Sequence, residues 1–281
     1  MFATGISKIR LALVNIRSAQ SPLRFILSRV VPMVGVSKIF RINRPSYFLK
    51  FHKTSLSKKI FADPDFGLDD IWLLQNLVDD NDVVIDVGAN IGDYTIASAT
   101  RVGQRGHVYA FEPHPRIIGC LRENLELNQI QNVSTAQVAL GANFGWTGIS
   151  DYRADAINHI ANGQNTIRVP RAPLDSFLPD TEIAVLKVDA EGAEKYIFDG
   201  ASHGLLRTRV VMFEAQDTQY QHFGVHFTDV YDLLAGHGFY IVEWRDGRLQ
   251  DVHRHARFPR FRNLLACRDH GWLEERLLAR S

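Results

Sequence analysis

The run Val84-Ile85-Asp86-Val87-Gly88-Ala89-Asn90-Ile91-Gly92-Asp93-Tyr94-Thr95 constrains the fold of this chain more than any other stretch. Its β-branched start predicts a buried strand over residues 83–87. Gly88 lets the backbone turn tightly, and Gly92 opens a helix over residues 94–102 that Gly103 closes. A second strand over residues 107–111 runs into Glu112-Pro113, and a helix follows over residues 115–128. Strand, glycine turn, helix and strand within about thirty residues make a βαβ unit, whose crossover requires the two strands to be parallel.

The pattern continues in both directions. Asp63-Pro64 reads as an N-cap with proline at the first helical position, so a helix precedes the first strand. Residues 133–140 predict a third strand, and residues 141–164 an insertion or hairpin. Apolar runs at 183–188 and 210–213 predict strands on either side of a helix from about 193 to 206. Thr228 caps a helix reaching His237, and residues 239–244, the Asp246-Gly247 turn and residues 264–267 predict antiparallel strands. The expected fold class is α/β: a doubly wound, mostly parallel, seven-stranded sheet, Rossmann-like, with an antiparallel C-terminal strand pair and an N-terminal helical extension.

Charge divides the chain where hydropathy does not. The formal net charge is +1, yet residues 1–62 contain twelve Lys and Arg with no Asp or Glu, leaving 20 basic and 31 acidic residues for 63–281. This predicts a basic extension, 1–62, ahead of a catalytic domain, 63–281. Phe2, Ile6, Ile9, Leu13 and Ile16 fall on one helical stripe, and a second apolar patch at 25–36 is interrupted by Arg29 and Pro32. No apolar stretch approaches the roughly 20 residues of a membrane span. The expected location is cytoplasmic, with the basic extension at the periphery of an anionic membrane; folding back on the acidic domain or a targeting role are the alternatives. Aromatic platforms are not interleaved with the cations, so nucleic acid is not the expected partner. Cys120 and Cys267 lie far apart without metal-ligand spacing, which suits a reducing compartment.

The chemistry follows from what surrounds the glycines. A phosphate-binding loop needs Gly-Lys-Ser/Thr, and a nicotinamide fingerprint needs GxGxxG; here the spacing is Gly88-x-x-x-Gly92, with Asn90 between and Asp86 ahead. An acidic residue before the turn opposes a pyrophosphate and suits a cationic ligand, such as the ammonium and sulfonium of S-adenosylmethionine. Glu112, twenty residues after Gly92, stands where a ribose presents its vicinal hydroxyls. The expected cofactor-binding residues are therefore Asp86, Gly88, Asn90, Gly92 and Glu112.

A second constellation, Leu186-Lys187-Val188-Asp189-Ala190-Glu191-Gly192-Ala193-Glu194, gathers charge at the end of a buried strand, where open α/β sheets bind ligands. Asp189, and Glu214 at the end of the next strand, should face each other across a crevice as the catalytic pair. They would orient and deprotonate an acceptor hydroxyl, or hold a divalent cation such as Mg²⁺ that acidifies it. Lys187 is expected to pair with a site carboxylate. His114, His203 and His222 read as ordinary polar residues at element boundaries.

Together, VVIDVGANIGDYT, VYAFEPHP, NLELNQIQNV, PLDSF, LKVDAEGAE and Val211-Met212-Phe213-Glu214 resemble the FkbM family of S-adenosylmethionine-dependent methyltransferases over about residues 80–215. The resemblance implies the seven-stranded methyltransferase fold and O-methylation of a hydroxyl on a sugar, glycolipid, polysaccharide or secondary metabolite. It places Asp86, Gly88, Asn90 and Gly92 in the donor loop, Glu112 at the ribose, and Asp189 and Glu191 in the family's KxDxEG segment. The rival readings are a donor-binding module without turnover and a nicotinamide oxidoreductase.

Overall fold

The computed structural model describes residues 22–30, 40–150 and 166–279. In chain order, helix α1 (Pro22–Val30) precedes a hairpin of β1 (Arg41–Asn43) and β2 (Phe48–Lys50). Helices α2 (Ser55–Ala62) and α3 (Leu68–Leu77) lead into β3 (Val83–Val87), α4 (Asp93–Val102), β4 (His107–Phe111), α5 (Pro115–Leu127) and β5 (Val133–Ala136). Three short strands follow, β6 (Ala139–Leu140), β7 (Gly145–Ser150) and β8 (Thr166–Ala172). The remainder is β9 (Ile183–Val188), α6 (Glu194–Asp199), α7 (Ser202–Arg207), β10 (Thr208–Ala215), α8 (Asp217–His222), α9 (Phe227–Gly236), β11 (Tyr240–Arg245), β12 (Arg248–Asp251), β13 (Arg262–Cys267) and α10 (His270–Leu278).

The central sheet has the order β12-β11-β13-β10-β9-β3-β4-β5. β10, β9, β3, β4 and β5 are parallel, whereas β13 runs antiparallel between β10 and β11. The expected seven strands are thus present, and β12 adds an eighth at the edge through the Asp246-Gly247 turn. Both faces are covered, and the two-residue strand period shows why. Val84, Val185, Val210 and Leu265 meet Leu74, Leu77, Val102 and Leu273 on one face. Ile85, Leu186, Val211 and Leu264 meet Ile197, Phe198, Leu205 and Leu234 on the other. Each such aliphatic side chain, once buried, contributes roughly 1.5–3 kcal/mol. Continuous rather than alternating apolar strands are the result.

Several local expectations change. Asp63 does not cap a following helix; it terminates α2, and α3 starts after Gly67, whose left-handed φ of 73° turns the chain. The run 133–140 divides, because β5 belongs to the central sheet while β6 pairs with β8 in a separate three-stranded sheet with β7. Around the expected insertion, β7 and β8 pair antiparallel, and residues 151–165 lie outside the described residues. The helix expected over 193–206 is broken into α6 and α7 at Gly200, where any Cβ would lie 2.2 Å from the Gly141 carbonyl oxygen. The PLDSF segment supports that break: Asp175 accepts from the amides of His203 (3.0 Å) and Gly204 (2.8 Å) at the start of α7.

The composition boundary near residue 62 is not a packing boundary. Tyr47, Leu49, Phe51 and Ile60 are buried with Ile91, Ile96, Ile117 and Leu121 of the catalytic domain. Arg44 holds this junction. Its Nε donates to Asp93 Oδ1 (2.9 Å), a second ion-pairing contact links its Nη2 to Asp93 Oδ2, and its guanidinium also donates to the carbonyls of Pro64 (2.7 Å) and Phe66 (2.9 Å). The Tyr47 hydroxyl donates to the same carboxylate at 2.6 Å. The Phe2 to Ile16 stripe lies outside the described residues.

Removing one partner of a buried ion pair leaves a desolvated charge behind, so Arg44→Ala should cost about 3–5 kcal/mol. Chemical denaturation should show this as a lower midpoint, with Asp93 the group left exposed to the loss. An unchanged midpoint would show that the hairpin does not anchor the domain.

Candidate active site

A cavity of about 610 Å³ opens at the carboxyl ends of β3, β4, β9 and β10. It lies where the strand order reverses, with β4 on one side of β3 and β9 on the other, the usual place for ligands in open α/β sheets. The β3 turn forms its floor. The amides of Gly88 and Ala89 both donate to the Phe111 carbonyl at 3.0 Å, and the amide of Asp189 donates to the Val87 carbonyl at 3.0 Å. This draws the ends of β3, β4 and β9 together. Gly88 (φ 77°) is obligatory there, since a Cβ would lie 1.8 Å from the Asp189 carbonyl oxygen.

Of the five residues expected around the donor, three line the cavity: Gly88, Asn90 and Glu112. Glu112 is buried, and its two oxygens accept from the amides of Asn90 (3.0 Å) and His114 (2.9 Å). Those amides aim the carboxylate from β4 toward the β3 turn and leave it acceptor capacity. Gly92 is one shell further out. It begins α4 at φ 92°, and a Cβ would press within 2.3 Å of Leu121 Cδ1, so its role is close packing.

Asp86 lies beneath the cavity: its side chain is 1% exposed and is not among the lining residues. Thr95 Oγ1 donates to it at 2.6 Å, and the Lys187 ammonium lies 3.6 Å away. Its charge meets Lys187, which itself lines the cavity. His114 departs from expectation, being 3% exposed and lining the cavity, where its Nδ1 accepts from the Arg116 amide at the start of α5.

The second constellation converges. Lys187, Asp189, Glu191 and Glu214 all line the cavity, and one oxygen from each of Asp189, Glu191 and Glu214 lies within 4.8 Å of the others. Lys187 Nζ is 3.4 Å from Asp189 Oδ2 and 4.5 Å from the centre of the Tyr94 ring. Burial alone would lower the Lys187 pKa, but Asp189 and Asp86 outweigh it and keep the ammonium charged. Glu214 is pushed up to about 8 by burial and by the charges of Asp189 and Glu191. Glu191 likewise rises to about 8 through burial, then Asp189 and Glu194, and it adopts a left-handed φ of 54° that turns its side chain onto Gln219. Glu194 is fully buried and rises to about 8 through burial; its Oε1 accepts from the amides of Ala190 (3.0 Å) and Gly192 (3.3 Å), fixing the loop that carries Asp189.

Sequence reasoning missed Asp70, Lys59, Gln219 and Asn263, which complete this end of the cavity. They come from α2, α3, α8 and β13, far apart in the chain, and no spacing connects them. Asp70 opens α3, where an acidic residue in the first turn reads as ordinary helix-dipole compensation.

The residues fit an adenosyl donor. Glu112 would supply the acceptor for a diol and Gly88 and Asn90 close backbone, while Phe111, Ile117, Val138 and Leu140 form an apolar strip of the lining. Glu112→Ala should weaken S-adenosylmethionine binding by roughly 1–3 kcal/mol, read by titration calorimetry on folded protein. An unchanged dissociation constant would remove Glu112 from the donor site.

Comparison with known proteins agrees with this arrangement. The model of the methyltransferase FkbM domain matches residues 86–241. The hexuronic acid methyltransferase AglP of Haloferax volcanii is 28% identical over 171 residues, covering 59% of this chain and 67% of that protein. Solved structures with a similar outline include the methyltransferase FkbM from Methylobacillus flagellatus (15% identity, TM-score 0.42, covering 67% of this chain and 43% of that one). Another is the methyltransferase SMU.1697c from Streptococcus mutans in complex with SAH (12% identity, TM-score 0.44, covering 71% of this chain and 96% of that one). The matched family domain spans both the β3 turn and the carboxylate cluster, and the chain belongs to the FkbM family of S-adenosylmethionine-dependent methyltransferases.

Proposed function

We propose that this methyltransferase transfers the methyl group to a sugar hydroxyl, with Asp189 and Glu214 as its catalytic carboxylates. The observation that carries the reading is the meeting of Asp189, Glu191 and Glu214 at the carboxyl ends of β9 and β10, beside the donor turn. The archaeal relative, named for a hexuronic acid, supports a sugar as the acceptor class.

The donor supplies an electrophilic methyl group on a sulfonium. The acceptor oxygen forms the new O–CH₃ bond as the S–CH₃ pair returns to sulfur, and the hydroxyl proton must leave. Glu214 takes that proton, because a carboxylate raised to about 8 is a better matched base than one at its ordinary value. Asp189, anchored by Lys187 at 3.4 Å, accepts a hydrogen bond from a neighbouring hydroxyl of the same sugar and so holds the reacting oxygen in line. Glu112 holds the donor's ribose, and Gly88 keeps the turn beneath it clear of side chain.

The cluster has no need of Mg²⁺ in this reading. The Lys187 ammonium already supplies a fixed positive charge beside Asp189. Methyl transfer should therefore persist in excess chelator, and loss restored by Mg²⁺ would replace Glu214 as base with a metal-bound hydroxyl.

A base acts in its ionised form, so kcat/KM should rise with pH and level off above about 8. Glu214→Gln should lower kcat by about 10²-fold or more, abolish that rise, and leave donor affinity within a few fold. Wild-type turnover by the variant on a verified acceptor would end the assignment.

We also infer that the basic extension faces an anionic lipid surface. Helix α1 exposes Leu23, Ile26, Leu27 and Val30 beside Arg24 and Arg29, and among the described residues no helix is long and apolar enough to cross a membrane. Full-length protein should co-sediment with phosphatidylserine vesicles in a salt-sensitive manner, while Leu23→Asp/Leu27→Asp should not. Equal sedimentation of both would contradict it.

A further inference from the structure

The acceptor end of the cavity carries more carboxyl groups than proton removal requires. Asp70, Asp189, Glu191 and Glu214 all line it, and Lys59 and Lys187 are the cations set against them among the described lining residues. Lys187 is already matched, with Asp86 at 3.6 Å and Asp189 at 3.4 Å. Lys59 lies flat over the Phe66 ring at 3.7 Å, with Asp63 and Glu214 as its nearest compensating charges. Arg44 is committed to Asp93 and to two backbone carbonyls, so it cannot turn toward a ligand. Glu191 and Glu214 ionise near pH 8, and in that ionised state, the one in which Glu214 acts as base, the single net positive charge of the donor is too little to offset the carboxylates.

The carboxyl groups also crowd one another. Glu191 and Glu214 sit within 4.8 Å of Asp189, and burial raises Asp70 as well. A further anion entering here would meet like charge in a poorly solvated space. Uncharged hydroxyls would meet carboxyl oxygens that accept and the amides of Gln219 and Asn263, which both donate and accept. The Asp70 carboxylate, beside the Tyr94 hydroxyl at 3.5 Å and hydrogen-bonded to Asn263, extends this acceptor-rich wall away from Asp189.

We propose that the acceptor group entering this site is an uncharged polyhydroxyl sugar, and that the carboxyl wall excludes uronates. The inference rests on sugar O-methylation as the function and narrows it by charge. Discrimination arises chiefly by repulsion: the wrong sugar places its carboxylate against Asp70 and the Asp189 cluster, and of the described lining cations Lys187 is held by Asp86 and Asp189 while Lys59 is stacked on Phe66.

The test uses methyl transfer from labelled S-adenosylmethionine to matched pairs, methyl hexosides and the corresponding methyl hexuronides of gluco, galacto and manno configuration. The expected result is a kcat/KM about tenfold or more higher for the hexoside of each productive pair. Asp70→Asn should shrink that ratio, mainly through a lower KM for the hexuronide. Equal or better transfer to hexuronides would overturn the charge argument while leaving sugar methylation intact. A ratio unmoved in folded Asp70→Asn would overturn the role of the carboxyl wall. No transfer to any pair by donor-bound enzyme would overturn both readings.

Discussion

The buried Asp86–Lys187 ion pair lies beneath the active site. Asp86 and Lys187 are adjacent across the parallel β3–β9 ladder, and their side chains are 1% and 5% exposed. Burying two charges is costly, and such pairs are weak sources of net stability. Their value here is positional. Thr95 from α4 fixes Asp86, Asp86 fixes Lys187, and Lys187 presents a permanent cation to Asp189 at the cavity wall. Lys187 offsets part of the repulsion among Asp189, Glu191 and Glu214, and the rest shows in the raised pKa of Glu191 and Glu214.

The backbone does the complementary work. Because β3 and β9 are neighbours at the point where strand order reverses, their carboxyl ends diverge into one crevice. Gly88 allows the two ends to touch, and the Glu194 carboxyl ties down the loop behind Asp189. Residues at the ends of β3 and β4, proposed for the donor, and of β9 and β10, proposed for the acceptor, thereby line one cavity. Helix α2 lines its far side through Ser55, Leu56 and Lys59, and Arg44 ties the β1–β2 hairpin to α4 and to the α2–α3 turn beside it.

How much of this was legible depended on how local the cause was. Strands β3, β4 and β9 could be read to the residue, because β-branched runs bounded by glycine or charge leave few alternatives. Asp189 and Glu214 could be placed opposite each other because strand ends define the crevice. The surroundings of Asp86 were not legible: the sequence shows an acid before a glycine turn, but not that Lys187, a hundred residues away, would lie beside it. The same blindness to distant partners hid the Arg44–Asp93 junction, so a boundary drawn from charge at residue 62 cut through a shared apolar core. Asp70 and Asn263 stayed hidden for that reason too. Within 133–140, period-two alternation could not reveal that one strand would split between two sheets.

The central claim is that the Asp86–Lys187 pair tunes a carboxylate base for removal of the acceptor proton. The direct measurement is the pH–rate profile of methyl transfer in the Asp86→Asn/Lys187→Met double variant, which removes both charges and leaves neither buried alone. Wild-type rates should rise through about pH 8. The account predicts that the folded, donor-binding double variant reaches half its maximal rate at a higher pH, because the cation favouring the ionised cluster is gone. A profile superimposable on that of the wild type would contradict it.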